Sequence, residues 1–330
     1  MRICVVGAGA IGGMLGVKLA LSGHDVTLIL RGANLEAVRQ NGLKLIEEDG
    51  KELLARPARV TSVIAEAGVQ DVVILGMKAH QVAAIAAELR AIMHEKTRVI
   101  TMQNGIPWWY GRGLGKERPK APDLPRLDPD GALLRAVGFD RTLGGVITTS
   151  NHVIEPGVVH NISPERNVLW VGEIDDRQTP RLEALRATLV AAGIASPATA
   201  DIRYDIWHKL MANLTGSAVC MIMGQAVPIL ATPLLNRMVR RAHAEALAVA
   251  AAHGVKLDDD PETRYGAKRV YPAHRPSILQ DYELGRPMEV EAVVRAPVAF
   301  ARSAGVDTPT LDAIEALSVS LAEAKGLYRS

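Results

Sequence analysis

The sequence predicts an α/β domain with a parallel, doubly wound sheet, followed by an all-α domain. The chain opens on a strand, a glycine turn and a helix. Short apolar runs then alternate with helical patterns, an alternation typical of a parallel sheet flanked by helices. Only helical periodicity continues after about residue 200. We therefore place the two domains at residues 1–200 and 201–330, with a Pro-rich insertion at about 112–131.

The opening segment has the order of a dinucleotide-binding unit. Arg2–Val6 is an apolar run typical of a buried strand, and a helical pattern follows the turn. The turn has the G-x-G-x-x-G pattern in Gly7, Ala8, Gly9, Ala10, Ile11 and Gly12. In this context Gly7 permits the tight turn, Gly9 lets a pyrophosphate approach, and Gly12 lets the helix pack on the strand. The helix N-terminus attracts phosphates, so we expect a Rossmann-type domain whose cofactor contacts these six residues. A glycine-rich turn without a ligand is the alternative.

The rest of the first domain follows the same alternation. Strands are predicted at Asp25–Leu30, 43–46, 52–55, Asp71–Leu75, Thr97–Met102, Leu143–Thr149, Val158–Ile162 and Val168–Gly172. Helices are predicted at Ala79–Met93 and Pro180–Ala192. Four prolines among charged residues interrupt the pattern at 112–131, which indicates a surface insertion.

The second half carries only helical patterns. They cover Asp201–Met223, Pro233–His253, Met288–Ser303 and Pro309–Ala324. Thr232-Pro233 and Thr308-Pro309 each combine a capping residue with proline at the first helical position, a typical helix start. We expect this domain to bind the substrate, and its apolar surface is sufficient for a homodimer.

Composition excludes several classes of function. The 330 residues are 48% hydrophobic with a net charge of +2, and no basic block suggests a nucleic-acid or membrane partner. No apolar run reaches the roughly 18 residues of a membrane span. A strand that starts at residue 2 leaves no room for a secretory signal. The two cysteines lack zinc-site spacing, so we expect no metal and a soluble, cytoplasmic protein.

The residue after the second strand indicates which dinucleotide binds. NAD sites usually carry Asp or Glu there, about 20 residues after the glycine turn. Here Leu30 is followed by Arg31, and Glu36 already lies in the next predicted helix. A guanidinium can pair with a 2′-phosphate, so Arg31 favours NADPH over NADH. A solvated Arg31 with loose selectivity is the alternative.

Polar residues at strand ends and on one helix are candidates for chemistry. Lys78 and Asn104 each follow a predicted strand, where open α/β sheets bind ligands. Lys78 suits phosphates or a carboxylate, and Asn104 suits the nicotinamide, although Asn-Gly is also ordinary turn chemistry. Lys209 and Asn213 share a helix face that Ser217 continues. A buried lysine is rare without a task or a partner, but this stripe could equally be the exposed edge of an amphipathic helix.

These residues, in this order, resemble the ketopantoate reductase family of NADPH-dependent 2-dehydropantoate 2-reductases over nearly the whole chain. The resemblance rests on Gly7–Gly12, Arg31, Lys78 with Gln81, Asn104-Gly105, Lys209 with Asn213, and 276–281 (PSILQD) followed by Glu289. It implies that an N-terminal cofactor domain faces a helical domain across a cleft. It also implies reduction of a 2-keto acid to a 2-hydroxy acid, here 2-dehydropantoate to pantoate in pantothenate biosynthesis.

The resemblance also assigns roles to particular residues. Lys209 is expected to be the catalytic acid, with Glu289 close to it and to the nicotinamide ribose. Asn104, Asn213 and Ser277 are expected to hold the substrate, and Asn104 to contact the cofactor as well.

The chain departs from the family pattern in ways that bear on the substrate. Ser217, a further expected substrate contact, stands where a second Asn is frequent, and Val294-Arg295 stand where Asn-Gly is frequent. The Pro-rich stretch is also longer than in compact members. A bulkier 2-keto acid therefore remains an alternative substrate. A non-catalytic NADP-binding sensor and the neighbouring 3-hydroxyacid dehydrogenases, which share the two-domain plan and a catalytic lysine, are further alternatives.

Overall fold

A computed structural model describes residues 1–266 and 269–330, which form two compact units. The first unit comprises Met1–Gln103 and Asp128–Ile202, and the second comprises Asn104–Leu127 and Arg203–Ser330. Sequence analysis assigns residues 104–127 to the first domain, whereas in the structure this segment packs with the second unit.

The strands all lie in the first unit. They are β1 (Arg2–Val6), β2 (Asp25–Ile29), β3 (Leu43–Glu47), β4 (Glu52–Ala55), β5 (Arg59–Thr61), β6 (Gln70–Leu75), β7 (Met93–Thr101), β8 (Thr142–Thr148), β9 (Asn151–Glu155), β10 (Val158–Asn161) and β11 (Val168–Glu173). Seven form one sheet in the order β11-β8-β7-β6-β1-β2-β5, parallel except for β11 against β8. The predicted α/β class with a helical second part is thereby confirmed.

A second sheet in this unit was not predicted. It has four strands in the order β4-β3-β10-β9. Strands β5 and β9 escape sequence analysis because β5 has three residues and β9 is largely exposed, so neither forms an apolar run.

The helices of the first unit flank these sheets. They are α1 (Ala10–Leu21), α2 (Gly32–Asn41), α3 (Ala79–Val82), α4 (Ala86–Leu89), α5 (Ala132–Val137) and α6 (Pro180–Ala191). The prediction of one helix over 79–93 is wrong, because 3-10 turns at Ala83–Ile85 and Arg90–Ile92 interrupt it and Met93 begins β7. Val82, Ile85 and Leu89 are buried, and spacings of three and four suit a mixture of 3-10 and α turns.

Helices α7 to α13 follow from Ile202 onward. They are α7 (Ile202–Met211), α8 (Ala218–Met223), α9 (Pro233–Ala252), α10 (Pro261–Tyr265), α11 (Ser277–Glu283), α12 (Ala296–Ala304) and α13 (Pro309–Ala324). Two predicted helices are interrupted by π-helical segments, at Ala212–Ser217 and at Glu291–Arg295. Helices α10 and α11 were not predicted, since each has seven residues or fewer. Short 3-10 turns lie at Ile64–Ala67, Pro129–Gly131, Pro164–Arg166 and Val227–Ala231.

Aromatic packing holds residues 104–127 to the second unit. Trp109 and Tyr110 are buried. The Tyr110 carbonyl accepts a hydrogen bond from Nε of the fully buried Arg203 at 3.2 Å, and the Tyr110 hydroxyl accepts one from Trp207 Nε1 at 2.7 Å. The Arg203 guanidinium also lies 5.4 Å from the Trp109 ring centroid. Separating the segment from Arg203 would leave a buried charge without these partners, which is strongly destabilising. The segment is therefore an integral part of this unit.

The opening glycine turn joins β1 to α1 by close backbone contacts. Gly7 has a φ of 90°, and a Cβ there would lie 2.9 Å from the Met77 amide nitrogen. A Cβ on Gly12 would lie 2.4 Å from the Gly7 carbonyl oxygen, whereas one on Gly9 would meet nothing within 4 Å. Gly12 is therefore required for packing, and Gly9 is not.

We expect Gly12→Ala to destabilise the protein and Gly9→Ala to leave it nearly unchanged. Alanine gains about 1 kcal/mol of helix propensity at position 12, but relieving the clash with Gly7 must shift backbone and costs roughly 1–3 kcal/mol or more. Urea denaturation should show a net loss of up to about 2 kcal/mol for Gly12→Ala and a change within about 0.5 kcal/mol for Gly9→Ala. Equal midpoints for the two variants would contradict the packing role.

Candidate active site

The glycine turn fits a dinucleotide pyrophosphate. Gly9 is exposed, Ala10 and Ile11 are partly exposed, and Ala8 and Gly12 are buried. No side chain caps α1, and its first turn carries no acidic residue. The first N–H groups of the helix therefore remain available to an anion. The open space above Gly9 is where a side chain would obstruct a phosphate.

Arg31 lies at the end of the strand that supports this turn. The amides of Gly7 and Ala8 both donate to the Ile29 carbonyl, at 3.2 and 3.4 Å. Arg31 is the exposed N-cap residue of α2, and across the described ranges its side chain has no hydrogen-bond or ion-pair partner. Glu36 pairs with Arg39 instead, at 3.5 Å. Arg31 is therefore an exposed cation only two residues after Ile29, whose carbonyl holds the glycine turn. Such a cation is suited to a 2′-phosphate.

Asn34, on α2, contacts the glycine turn and was not among the predicted site residues. Its Nδ2 donates to the Ala8 carbonyl at 3.3 Å, and its Oδ1 accepts from the Gly157 amide at 2.7 Å. Its one sequence signal is a position on α2 shortly after Arg31. The side chain thus connects the glycine turn to Gly157, which lies between β9 and β10 of the second sheet, and restrains the turn.

Lys78 follows β6, the strand next to β1. The Gly76 amide donates to the Val6 carbonyl at 2.8 Å, which places the end of β6 against the glycine turn. The Lys78 amide donates to Gln81 Oε1 at 3.2 Å, so Gln81 caps α3, and Lys78 itself is partly exposed. The predicted cofactor residues of this unit thus all follow the carboxyl ends of β1, β2 and β6, where doubly wound sheets bind ligands.

A pocket in the second unit gathers most of the other predicted residues. It encloses about 300 Å³, including its open mouth. Five predicted site residues line it, namely Asn104, Asn213, Ser217, Ser277 and Glu289. Sequence analysis missed three further lining residues, Ile278, Asp281 and Val293. A signal for two of them existed, since Ile278 and Asp281 belong to the same short helix as Ser277.

Asn104 is brought into the pocket by a close backbone contact. Its Nδ2 donates to Glu289 Oε2 at 3.1 Å, and the Ile106 amide donates to the Ala292 carbonyl at 2.8 Å. Gly105 between them has a φ of 84°, and a Cβ there would lie 2.2 Å from the Ala292 oxygen. Only glycine fits this approach, so the predicted Asn-Gly pair serves both as a turn and as a site element.

Asn213 and Ser217 project from the first π-helical segment. In a π turn the backbone hydrogen bond joins residues five apart rather than four. Asn213 and Ser217 are four apart and still lie on nearly the same side of the helix. Within residues 1–266 and 269–330, the side chains of Asn213, Ser217 and Ser277 make no hydrogen bond, and all three line the pocket. They are available to a polar ligand.

Lys209 lies on α7, one turn before this segment. Its side chain is partly buried, and burial lowers the pKa of its ammonium to about 8, while the Glu289 carboxylate raises it. Lys209 is not among the pocket-lining residues; its electrostatic interaction with Glu289 relates it to them. A cation with this pKa is mostly protonated at neutral pH and releases its proton more readily than an ordinary lysine.

The two family departures near Glu289 lie outside the pocket. Val294 is fully buried, and Arg295 donates to the Tyr328 hydroxyl at 2.8 Å. Val293 lines the pocket instead. The missing Asn-Gly pair therefore does not itself change the pocket wall, where the apolar side chain from this segment is that of Val293.

Similar proteins agree with these observations. The family described as "Ketopantoate reductase PanE/ApbA" matches residues 3–176, and its C-terminal counterpart matches residues 201–321. A 2-dehydropantoate 2-reductase of Mesorhizobium japonicum is 37% identical over 99% of this chain and 100% of its own. A solved ketopantoate reductase structure from Ralstonia solanacearum MolK2 is 33% identical, covers 99% of both chains and has a TM-score of 0.90. A D-mandelate dehydrogenase solved with NADH and anilino(oxo)acetate covers 99% of this chain and 100% of its own with a TM-score of 0.81, but at 22% identity it shows a shared fold alone.

A Rossmann-type glycine turn at the start of a doubly wound sheet is typical of dinucleotide-binding proteins, and the similar proteins place this chain among the dinucleotide-dependent oxidoreductases. Within that class, this chain belongs to the ketopantoate reductase family.

Among the described residues, none of the helices has the length and apolar character needed to cross a membrane. In the same ranges, no group of three or more His, Cys, Asp or Glu side chains could hold a metal ion.

We expect Glu289→Gln to lower the pKa of Lys209 below its value of about 8, because the substitution removes the negative charge that raises it. NMR titration of the lysine side chains, with Lys209 assigned from a Lys209→Arg variant, measures the shift. Glu291→Gln is the matched control and should leave this pKa unchanged, since Glu291 interacts with Arg126 and Arg295. An unchanged or raised Lys209 pKa in Glu289→Gln would show that the carboxylate does not act on the ammonium.

Proposed function

We propose that this enzyme reduces 2-dehydropantoate to pantoate with NADPH, a step of pantothenate biosynthesis. The observation that carries the proposal is Lys209, an ammonium whose pKa of about 8 is set by burial and by Glu289. The pocket that shares Glu289 carries the amide and hydroxyl groups of Asn104, Asn213 and Ser277, which suit a small, polar acid. Family membership over the full chain supports the same substrate.

Lys209 would serve as the acid of the reaction. NADPH, when bound, supplies the hydride that the keto carbon receives. Negative charge then develops on the keto oxygen, where the Lys209 ammonium stabilises it and donates the proton that completes the hydroxyl group. Because burial lowers its pKa, this ammonium gives up a proton more easily than an exposed lysine does.

Glu289 and the uncharged polar residues would divide two further tasks. Glu289 keeps Lys209 protonated near neutral pH, and its hydrogen bond to Asn104 fixes both side chains. Asn213, Ser217 and Ser277 can orient the acid through their unused donors and acceptors. None of these three needs to change its charge, so they act by position.

Arg31 supports NADPH rather than NADH. The glycine turn accepts the pyrophosphate of either dinucleotide. Arg31 is the exposed cation at the place where NAD sites carry a carboxylate. At the ribose, a bidentate guanidinium–phosphate pair requires the 2′-phosphate that NADPH carries and NADH lacks.

The proposal is tested by NADPH oxidation with a panel of 2-keto acids. We expect turnover of 2-dehydropantoate by the wild type, and a loss of roughly 10²–10⁴ in kcat for Lys209→Ala because the acid is removed. Lys256→Ala, an exposed lysine on the same unit, is the matched control and should keep full activity. In the wild type, kcat/KM should be level below about pH 8 and fall tenfold per pH unit above it, as Lys209 loses its proton. Near wild-type kcat in Lys209→Ala would remove the proposed acid.

We expect Arg31→Ala to raise the KM for NADPH and to leave that for NADH nearly unchanged. A charge-assisted phosphate contact is worth about 1.5–3 kcal/mol, which corresponds to roughly 10–100-fold in KM. Arg39→Ala controls for a general loss of positive charge on α2, since Arg39 pairs with Glu36. Equal effects on both cofactors would contradict a role in recognising the 2′-phosphate.

A bulkier 2-keto acid is the second candidate substrate. Ser217 is smaller than the asparagine frequent at this position, and Ile278 and Val293 add apolar surface to the same pocket. Branched and aromatic 2-keto acids in the same panel distinguish the candidates. A higher kcat/KM for one of these than for 2-dehydropantoate would favour the second candidate.

We further propose that the enzyme acts in the cytoplasm and forms a homodimer. Cys4 and Cys220 are free, buried thiols, which suits a reducing compartment. The helical unit exposes large apolar side chains such as Leu234 and Leu317. Sedimentation velocity of the purified protein gives the oligomeric state, and a monomer at micromolar concentration would contradict the dimer.

A further inference from the structure

The π-helical segment that carries Asn213 and Ser217 has a buried polar contact of its own. Thr215 lies between these two residues and is fully buried. Its Oγ1 donates to the Met211 carbonyl at 2.6 Å and lies 2.7 Å from the Tyr265 hydroxyl. A hydroxyl carries a single hydrogen, and Thr215 gives its own to Met211. The Tyr265 hydroxyl must therefore donate to Thr215, which produces a relay from Tyr265 through Thr215 to the helix backbone.

Tyr265 is well fixed for this role. The residue is buried, and its ring packs edge-to-face on His243 with centroids 5.7 Å apart. Its carbonyl accepts hydrogen bonds from Asn236 Nδ2 at 2.8 Å and from the Tyr271 hydroxyl at 3.2 Å. Burial raises the pKa of Tyr265 to about 12, so its hydroxyl is protonated and able to donate throughout the working pH range.

The phenol approaches the π-helical backbone closely. A Cβ on Gly216 would lie 3.0 Å from the Tyr265 hydroxyl and 3.3 Å from Leu230 Cδ1. The tyrosine oxygen thus occupies the space that a side chain at position 216 would need. The Tyr265 hydroxyl therefore packs directly against the backbone at Gly216.

The relay lies where the helix changes its hydrogen bonding. A π turn is rare and departs from the regular pattern of backbone hydrogen bonds, so it needs local support. A threonine hydroxyl bonded to the carbonyl four residues earlier competes with the backbone hydrogen bonds and often bends a helix. Met211 is the last residue of α7, immediately before the segment, so Thr215 acts where the π turn begins.

We propose that Tyr265, acting through Thr215, is a positioning residue that holds this π turn in the register presenting Asn213 and Ser217 to the pocket. The inference rests on the proposed function, in which Asn213 and Ser217 bind the keto acid. Neither Tyr265 nor Thr215 lines the pocket. Both act on the substrate only through the backbone they support.

The test removes the hydroxyl groups while preserving shape. Thr215→Val and Tyr265→Phe break the relay, and Thr215→Ser restores the hydroxyl and should rescue. Thr142→Val is the matched control, because the buried Thr142 hydroxyl also donates to a carbonyl four residues earlier, that of Gly138 at 2.7 Å. Misplaced ligands cost up to about 10²-fold per ångström, so we expect kcat/KM for the keto acid to fall roughly 5–50-fold in Thr215→Val. The loss should lie mainly in KM, with NADPH affinity unchanged.

A double-mutant cycle with Asn213→Ala separates positioning from general destabilisation. If Tyr265 acts through Asn213, Tyr265→Phe adds little to the loss already caused by Asn213→Ala. Fully additive effects on kcat/KM, or no rescue by Thr215→Ser, would overturn the proposal.

Amide hydrogen exchange provides a readout that needs no turnover. Peptides covering 212–217 should exchange at least about tenfold faster in Thr215→Val and Tyr265→Phe than in the wild type or Thr142→Val, since the local opening is no longer opposed by the relay. Faster exchange in a protein that reduces no 2-keto acid would support the relay and overturn the proposed function. Unchanged exchange in both variants would overturn the relay, whatever the wild type reduces.

Discussion

The pocket of the second unit depends on one backbone contact, that of Gly105 with Ala292. The chain leaves β7 and enters this unit at Asn104. The Asn104 amide reaches Glu289 because the next residue has no side chain and the Ile106 amide bonds to the Ala292 carbonyl. Glu289 in turn raises the pKa of the ammonium that burial lowers. A methyl group at position 105 would therefore displace Asn104 and Glu289, and so change the pKa of Lys209 without contacting it.

Local signals predict the first unit better than the second. The strand, turn and helix from Arg2 to Leu21 are specified by neighbouring residues, and the structure has them at almost the predicted bounds. Arg31 likewise follows its strand as expected. The second sheet is different, because its strands β3 and β10 pair over more than 100 residues of sequence, and no local pattern encodes that pairing.

The site shows the same division. The spacing of Lys209, Asn213 and Ser217 indicates a shared face, and two of these line the pocket while Lys209 interacts with its Glu289. Nothing in that spacing indicates a π turn, since the relay that accompanies it begins at Tyr265, 50 residues away. The catalytic and binding roles of these residues stay predictions until the variants are measured.

The arrangement of the units has a consequence for synthesis on the ribosome. Residues 104–127 are made well before the helices with which they pack, because 75 residues of the first unit, 128–202, intervene. Trp109 and Tyr110 are therefore synthesised before their later packing partners, which are Arg203, Trp207 and Phe300. Neither unit can finish folding during synthesis from its first segment alone. Until the second unit is complete, the two aromatic rings are exposed on the nascent chain, where they favour aggregation.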